Sequence, residues 1–257
     1  MIRPAQGGFE VRAVGGIPLV RPGDDLVRLL GDALAGPGLL ADGDILVVAQ
    51  KIVSKAEGRL RRLDTVTPSA EAVELAQVVE KDARLVELVL AESRRVVRAV
   101  RNTLIVEHRL GHIMANAGID QSNVGPAEEA VALLLPEDPD ASCRALRDGL
   151  GERLGANIAV LMNDSFGRPW RNGVTGVCIG AAGLRVLRDR RGDPDLFGRT
   201  LLVTQIALGD EIAAAASLLM GQADEGIPAA VIRGLRFDRT DQAAAALLRP
   251  AHEDLFR

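Results

Sequence analysis

Two short apolar runs, each ending in polar residues, constrain the fold of this chain more than any other feature. We predict buried strands over residues 44–50 and 157–162, whose apolar cores read Ile-Leu-Val-Val-Ala and Ile-Ala-Val-Leu-Met. Runs of this length with polar ends are typical of strands buried in a sheet. Because open sheets place chemistry at the ends of their buried strands, the polar residues at these ends are candidate site residues.

Hydrophobic periodicity and end signals predict the other elements. Helices are expected over residues 24–35 after an aspartate cap, within 68–97 with a break near Lys81, over 141–154, and over 210–220 before a Gly221 C-cap. Short strands are expected at 104–106 paired with 113–115, at 174–179, at 201–207 and at 229–232. The tail from Arg236 is expected to be a surface helix or a frayed end. Without a strict βαβ order, this mixture predicts an α+β fold.

Composition narrows the class of protein. A chain of 257 residues is long enough for one large domain or two small ones, and no internal repeat or clear linker divides it. Aromatic residues make up only 2% of the chain and the net charge is −4, which together disfavour nucleic-acid binding.

Cysteine usage and hydropathy indicate the compartment. Cys143 and Cys178 are the only cysteines, which gives neither a disulfide framework nor a zinc pattern. The N-terminus lacks the apolar core of a signal peptide, and no uncharged apolar stretch approaches the roughly 18 residues of a membrane helix. We therefore expect a cytoplasmic protein with reduced thiols and no membrane partner.

Two polar islands, residues 116–123 and 163–168, carry the strongest candidate chemistry. Asp120 is followed by Ser122 and Asn123, and Asp164 is followed by Ser165. Carboxylate, hydroxyl and amide oxygens suit Mg²⁺ or Mn²⁺, whose other ligands are water or phosphate. The alternative is that both aspartates form turns or cap helices, and spacing alone does not decide between the two.

A phosphate site, if present, must be built without a standard glycine-rich motif. Neither G-x-x-x-x-G-K-[ST] nor G-x-G-x-x-G occurs, and the glycines of residues 176–183 are expected to allow close packing of strands. Lys51 and Lys55 follow the first buried strand and could reach a phosphate, although a solvated basic turn is the alternative. The arginine-rich segment 59–62 is expected to be a solvated face.

Three weaker patterns complete the candidates. The loops 15–20 and 221–228 contain glycines that would let the backbone approach a ligand, or would simply form tight turns. His108 and His112 are four residues apart, but they fall on a predicted strand and turn and lack an evident third ligand, so zinc is disfavoured. No serine lies in a G-x-S-x-G nucleophile elbow.

Together these segments resemble one family, the coenzyme F420:L-glutamate ligases (gamma-glutamyl ligases). The similarity runs in family order from about Gly16 to Leu235 and therefore covers nearly the whole chain. Its segments are Gly-Ile-Pro-Leu-Val at 16–20, Gln-Lys-Ile-Val-Ser-Lys-Ala-Glu-Gly at 50–58, Asn-Ala-Gly-Ile-Asp-Gln-Ser-Asn at 116–123, Leu-Leu-Leu-Pro at 133–136, Asn-Asp-Ser-Phe-Gly-Arg-Pro-Trp-Arg-Asn-Gly at 163–173, Asp-Leu-Phe-Gly-Arg at 195–199, Asp-Glu-Ile-Ala-Ala at 210–214, and 226–235.

The resemblance implies a reaction and a set of partners. The expected reaction adds L-glutamate through a γ-glutamyl linkage to the F420 precursor (F420-0 to F420-1, then F420-2), with GTP as the substrate that supplies energy. The resemblance also implies two divalent ions, either Mg²⁺ or Mn²⁺, and a potassium ion as an activator. It further implies a homodimer and a fold of two intimately associated lobes. Some members carry a second, nitroreductase-like flavin domain, for which this chain is too short, so we expect a single ligase domain over residues 1–257.

The resemblance also assigns residues. It places the first metal ion on Asp120 and Asp164 and a second on Ser165 and Gln222. Serine stands where threonine is frequent, and Gln222 stands where an acidic residue can occur, which weakens the second site. The implied guanine-nucleotide residues are Ile17, Pro18, Leu19, Val20, Gln50, Lys51, Lys55, Asn123, Met220, Gly221, Gln222, Ala223, Asp224, Glu225, Gly226 and Ile227.

Amide formation from a carboxylate requires an activated acyl group, which predicts phosphoryl transfer from GTP to give an acyl phosphate. Since the reactants are anionic, neutralising charge is the main catalytic task. We expect Asp120 and Asp164 to hold metal, Lys55 to contact the β/γ-phosphates and Asn123 to orient the nucleotide. Arg168 or Arg171 could bind a substrate carboxylate or phosphate, or could form structural ion pairs. The alternatives are a metal-dependent phosphohydrolase and a non-catalytic nucleotide-binding module.

Overall fold

The computed structural model describes residues 8–125 and 130–254. Within them the strands are β1 (Glu10–Ala13), β2 (Ile45–Ala49), β3 (Leu60–Arg62), β4 (Ser93–Val100), β5 (Thr103–His108), β6 (Ile113–Ala115), β7 (Val131–Leu133), β8 (Ala159–Arg168), β9 (Arg171–Ala182), β10 (Arg188–Asp189), β11 (Gln205–Ile206) and β12 (Ala229–Arg233). The α-helices are α1 (Leu26–Leu34), α2 (Gln50–Ala56), α3 (Ala70–Val79), α4 (Ala83–Ala91), α5 (Pro139–Leu154) and α6 (Leu208–Met220).

A five-stranded sheet in the order β1-β12-β2-β8-β9 forms the centre of the molecule. Its two predicted buried strands, β2 and β8, pair in parallel, whereas the other neighbours in this sheet are antiparallel. The parallel register places Ala49 opposite Asn163. Because parallel strands end at the same edge of a sheet, this pairing brings the two polar strand ends together.

The central sheet separates two hydrophobic cores, as the alternation of side chains along β2 shows. Leu46 and Val48 point into a cluster that includes residues of α1 and α5, whereas Ile45 and Val47 point into a cluster that includes residues of α6. The fully apolar sequence of β2 follows from this position, because a strand covered on both faces needs no polar side.

A third hydrophobic cluster draws all its fully buried members from residues 63–134. Leu104 and Val106 of β5 contribute to it, together with the inner faces of α3 and α4. Three smaller sheets, β4-β5-β6, β3-β7 and β10-β11, complete the described strands. The predicted α+β fold with mixed sheets is therefore confirmed, and the arrangement in two lobes stays a prediction.

Most elements predicted from the sequence are present, with two notable differences. The predicted helical region 68–97 breaks as expected, with α3 ending at the left-handed Glu80 and Asp82 capping α4. It does not reach Val97, however, because the chain turns into β4, where β-branched Val96 and Val97 favour a strand. The predicted strand 201–207 is reduced to Gln205–Ile206, since Leu202 and Val203 are 78% and 84% exposed and have no sheet to cover them.

Three local predictions have different outcomes. The glycines of 176–183 do allow close packing, since a Cβ at Gly180 would lie 2.6 Å from the backbone of Pro139. Between Arg236 and Asp254 the tail forms two short 3₁₀ turns rather than an α-helix, and Ala244 is buried. The prediction that Arg59 belongs to a solvated face is wrong, because this side chain pairs with Glu92 and Glu137 and its residue is only 6% exposed.

None of the helices in the described ranges is long and apolar enough to cross a membrane.

Candidate active site

The first part of the site is the start of α2, which begins directly where β2 ends. Gln50 is the first helical residue, and its Oε1 accepts a 2.8 Å hydrogen bond from the hydroxyl of Ser54 one turn later. That bond leaves Nε2 free to donate to Asp120 Oδ2 at 3.3 Å. The ammonium of Lys51 lies 3.3 Å from the same carboxylate oxygen. A buried strand end thus presents an amide and a cation to Asp120.

The second part is the island that follows β6. Asn116 and Ala117 both have positive φ, and the turn they form leads to Asp120. The backbone of Asp120 exchanges two hydrogen bonds with Leu133, at 3.0 and 2.8 Å. Beyond Asp120, Lys51 donates to the carbonyl of Ser122 at 3.3 Å. The loop is therefore held on one side by β7 and on the other by α2.

The third part is Asp164, on the stretch of β8 that continues beyond its buried core. The sequence predicted that the strand would end before this island, but the strand extends to Arg168 and forms a hairpin with β9. Burial and then the charge of Asp120 raise the pKa of Asp164 to about 7, and a hydrogen bond from Gln50 acts in the opposite direction. Burial also raises the pKa of Asp120, against the charge of Lys51.

The raised pKa of Asp164 shows that its carboxylate lies close enough to that of Asp120 for the two charges to repel each other. The side chain of Gln50 hydrogen-bonds to both carboxylates. A divalent cation would relieve this repulsion, and oxygen ligands suit Mg²⁺ or Mn²⁺. No group of three or more His, Cys, Asp or Glu residues within the described ranges could hold a metal ion. The residues present therefore fit an ion that takes its remaining ligands from hydroxyl or amide oxygens, phosphate and water.

The fourth part is the loop after α6. Gly221 has a φ of 72°, and a Cβ there would lie 2.0 Å from the carboxyl carbon of Glu225, which folds back to accept from the amide of Ala223 at 2.8 Å. The loop contacts both islands. Asn123 Nδ2 donates to the carbonyl of Ala223 at 2.7 Å, and Ser165 Oγ lies 2.5 Å from Gln222 Oε1.

These parts enclose a cavity of about 430 Å³. Its walls include every residue expected to bind nucleotide, from the loops 17–20 and 220–227 to Gln50, Lys51, Lys55 and Asn123. Asp164 and Ser165 also line it, whereas Asp120 lies behind Gln50 and Lys51. The volume falls in the range of small-molecule sites. The structure thus brings together residues as far apart in the sequence as Ile17 and Ile227.

Two cations face this cavity. Lys55 donates to the carbonyl of Asn123 at 2.8 Å, and its pKa is lowered by burial and then by the charge of Lys51. Two neighbouring ammonium groups and a partly apolar lining suit an anionic ligand that also has an apolar surface.

The structure does not place every candidate in the cavity wall. Arg168 and Arg171 are register partners near the exposed end of the β8–β9 hairpin. Among the described residues, no carboxylate forms an ion pair with either guanidinium, and that of Arg168 donates to the carbonyl of Asn172 at 3.4 Å. His112 packs edge-on against Phe166 at 5.6 Å, and burial followed by the charge of His108 lowers its pKa to about 4.

Sequence reasoning assigned no role to Asn163, which is buried at the β8 strand end. Its Nδ2 donates to Ser217 Oγ on α6 at 3.0 Å, and its Oδ1 has no hydrogen-bond partner among the residues that the structure describes. It thereby connects the strand that carries Asp164 to the helix that leads into the 220–228 loop. Its only signal in the sequence was a polar residue at the end of an apolar run.

Comparison with known proteins identifies the chain as an enzyme of the ligase class. The model of the F420-0:gamma-glutamyl ligase family matches residues 15–234, and the chain belongs to this family. The resemblance stated from the sequence motifs is thereby confirmed.

Relatives are similar over nearly their whole length. Coenzyme F420:L-glutamate ligase of Methanothermobacter thermautotrophicus is 46% identical over 97% of this chain and 99% of its own. The enzyme of the same name from Methanopyrus kandleri is 46% identical over 98% of this chain and all of its own. That of Archaeoglobus fulgidus is 42% identical over 96% of each chain.

Proposed function

We propose that this enzyme adds L-glutamate through a γ-glutamyl linkage to the coenzyme F420 precursor, first to F420-0 and then to F420-1, at the expense of GTP. One observation carries the proposal. In a chain of this family, Asp164, two lysines and the 220–228 loop line a single cavity, and Asp120 lies directly behind its wall against Lys51. The names of the relatives supply the acceptor and the amino acid.

The proposed reaction has two steps. A carboxylate oxygen of the precursor attacks the γ-phosphorus of GTP, the bond to the β-phosphate oxygen breaks, and GDP leaves. The amine of glutamate then attacks the acyl carbon, phosphate leaves, and the nitrogen loses a proton. Each step brings anionic groups together, so cations and oriented donors supply most of the stabilisation.

Asp120 and Asp164 would hold the first divalent ion, and Ser165 and Gln222 a weaker second one. Bound metal supplies charge neutralisation at the phosphates. Since Gln222 is a neutral amide whose oxygen lies 2.5 Å from the hydroxyl of Ser165, it contributes no charge to the second site. A potassium ion is a further proposed activator.

The protein's own side chains position the nucleotide. Lys55 would contact the β/γ-phosphates, and Lys51 adds a second positive charge at the same wall. Asn123 and the 220–227 loop, already hydrogen-bonded to each other, would hold the nucleoside. Arg168 and Arg171, without carboxylate partners in the described structure, are free to bind the anionic end of the precursor.

We further propose a cytoplasmic homodimer of a single ligase domain. Strongly exposed apolar side chains within the segment 196–203 support self-association, because exposed apolar surface marks interaction sites. They are Leu196, Phe197, Leu202 and Val203.

The test is incubation with precursor, L-glutamate, GTP and Mn²⁺, with ATP replacing GTP in a parallel reaction. Mass spectrometry counts the glutamyl units added, and phosphate release is measured with and without glutamate. The proposal requires both products to depend on glutamate. Phosphate release without glutamate would indicate a phosphohydrolase, and GTP binding without release would indicate a binding module.

Asp164→Asn is the diagnostic variant. We expect it to lose turnover and to bind Mn²⁺ weakly while the fold persists, because the amide removes a charge from the metal site. Asp148→Asn is the matched control, since Asp148 is exposed on α5 and pairs with Arg147 away from the cavity. Normal turnover in Asp164→Asn would contradict the assignment.

A further inference from the structure

Arg59 is a buried arginine three residues beyond the last residue of α2. Its guanidinium donates in three directions: Nε to the carbonyl of Leu135 at 2.8 Å, and the two terminal nitrogens to Glu92 at 2.9 Å and Glu137 at 3.0 Å. Its backbone amide also donates to the carbonyl of Ser54 at 2.9 Å. The residue thus connects the end of α2 to the 134–137 segment.

The same segment leads directly to Asp120. Leu134 donates its amide to the carbonyl of Arg59 at 3.2 Å, and Leu60 pairs with Leu133 between β3 and β7. Leu133 then exchanges two backbone hydrogen bonds with Asp120. Arg59 therefore lies at one end of a short, continuously hydrogen-bonded path that ends at a proposed metal ligand.

α2 and the Asp120 loop consequently meet at two places. In the site, Gln50 and Lys51 contact Asp120 and Lys55 contacts Asn123, over distances of 2.8 to 3.3 Å. Behind the site, Arg59 ties the end of α2 to the 134–137 segment, and the preceding residue Leu133 pairs with Asp120. The contacts in the site are partly exposed, whereas Arg59 itself is buried and its bond to Leu135 is a buried one.

Glu92 anchors this rear connection. Burial alone would raise the pKa of its carboxyl, but the side chains of His108 and Arg109 and the charge of Arg59 hold it at about 2. Arg109 donates to Glu92 at 2.9 Å, and His108 Nε2 lies 3.5 Å from it. Nδ1 of His108 accepts a 3.0 Å hydrogen bond from the amide of Leu110, which fixes the ring beside Glu92. A buried ion pair of this kind fixes geometry while adding little net stability.

We propose that Arg59 is a positioning residue of the nucleotide and metal site, which holds α2 in register with the Asp120 loop. Its side chain does not line the described cavity, and it acts through Lys51, Lys55 and Asp120. The inference rests on the proposed function for the identity of the ligands. A misplacement of about 1 Å at such a site can cost about a hundredfold in rate, so a structural tie behind it has a kinetic consequence.

The test compares Arg59→Lys with Arg62→Lys. Lysine keeps the positive charge but its single ammonium cannot span Leu135, Glu92 and Glu137 together. Arg62 lies three residues further along and pairs with Asp64 at the surface. Steady-state kinetics give the KM for GTP and for the acceptor and the Mn²⁺ requirement. Calorimetry measures the affinity for GDP in the presence of Mn²⁺, and thermal denaturation reports on folding.

For Arg59→Lys we expect the KM for GTP and the Mn²⁺ requirement to rise about tenfold, with weaker calorimetric binding of GDP and Mn²⁺, while the KM for the acceptor stays within about twofold. Arg62→Lys should leave all constants unchanged. A lower melting temperature with unchanged constants would overturn the proposal, because it indicates a merely structural role.

Two further measurements distinguish a failure of this proposal from a failure of the variant to fold and from a failure of the proposed function. If Arg59→Lys does not fold, Glu137→Gln decides, since Glu137 is largely exposed and removing its charge should raise the same two constants by a smaller factor. If it raises neither, the proposal is wrong. If the wild type forms no glutamyl product, the proposed function fails, and the calorimetric comparison still tests Arg59.

Discussion

Gly176 on β9 is a position where one methyl group should disturb both the core and the candidate site. A Cβ there would lie 2.3 Å from Ser217 Oγ, 2.5 Å from the backbone oxygen of Ala213 and 2.6 Å from Asn163 Oδ1. Ala213 belongs to α6, so its carbonyl moves only if the helix moves. Gly176→Ala must therefore displace α6 from the central sheet or rearrange Asn163.

The magnitude follows from the cost of overpacking a well-packed interior, about 1 to 3 kcal/mol. For a domain of this size each kcal/mol changes the melting temperature by about 2 to 4 °C, so Gly176→Ala should melt about 2 to 12 °C lower. α6 leads into the 220–228 loop and Asn163 precedes Asp164, so the KM for GTP should also rise.

Thermal denaturation and steady-state kinetics check this prediction against Gly167→Ala. Gly167 lies on the same hairpin, has no positive φ, and a Cβ there would meet no atom within 4 Å. That variant should stay within about 2 °C of the wild type. Equal melting temperatures for the two variants would refute the argument, because the close approach at Gly176 would then carry no cost.

The remaining predictions concern pH and the hairpin arginines. Since the pKa of Asp164 is raised to about 7, metal must displace a proton below that pH, and Mn²⁺ affinity should fall about tenfold per pH unit as the solution becomes more acidic. Because the pKa of Asp164 in the folded state lies above its ordinary value of 3.8, the native state binds more protons than the unfolded state between about pH 4 and 7. Without metal, the contribution of Asp164 to the free energy of unfolding should therefore decline as the pH rises through this range. Denaturant titrations should show this decline in the wild type but not in Asp164→Asn. Replacing Arg168 and Arg171 together with glutamine should raise the KM for the anionic precursor several-fold and leave that for GTP unchanged, and equal effects on both constants would contradict their assignment.

Local sequence signals predicted much of the secondary structure for physical reasons. The apolar runs at 45–49 and 158–162 can be satisfied only by strands covered on both faces, and the structure has them so. Helix α1 begins after Asp25, whose carboxylate accepts from the amide of Arg28, as its cap residue indicated. β4 was missed because its exposed arginines at 94, 95 and 98 hid the alternation that a half-buried strand normally shows.

The family motifs identified the residues around the cavity. Without the family resemblance, however, each of these residues could equally have formed a turn or been a solvated charge. Arg59 illustrates the limit of local reasoning. In the sequence it is one of several arginines after a helix, and nothing nearby indicates that Glu92 and Glu137, 33 and 78 positions away, will bury it.

The sequence by itself therefore determined most of the strands and helices, and which polar residues stand at the ends of β2 and β8, because periodicity and capping are local properties. Only the tertiary structure decided that β2 and β8 pair in parallel, which brings Gln50 to Asp164 and Asp120. It also decided that two carboxylates repel each other while Arg59 is fully paired. Burial and charge interactions depend on distance in space, and separation along the chain does not determine that distance.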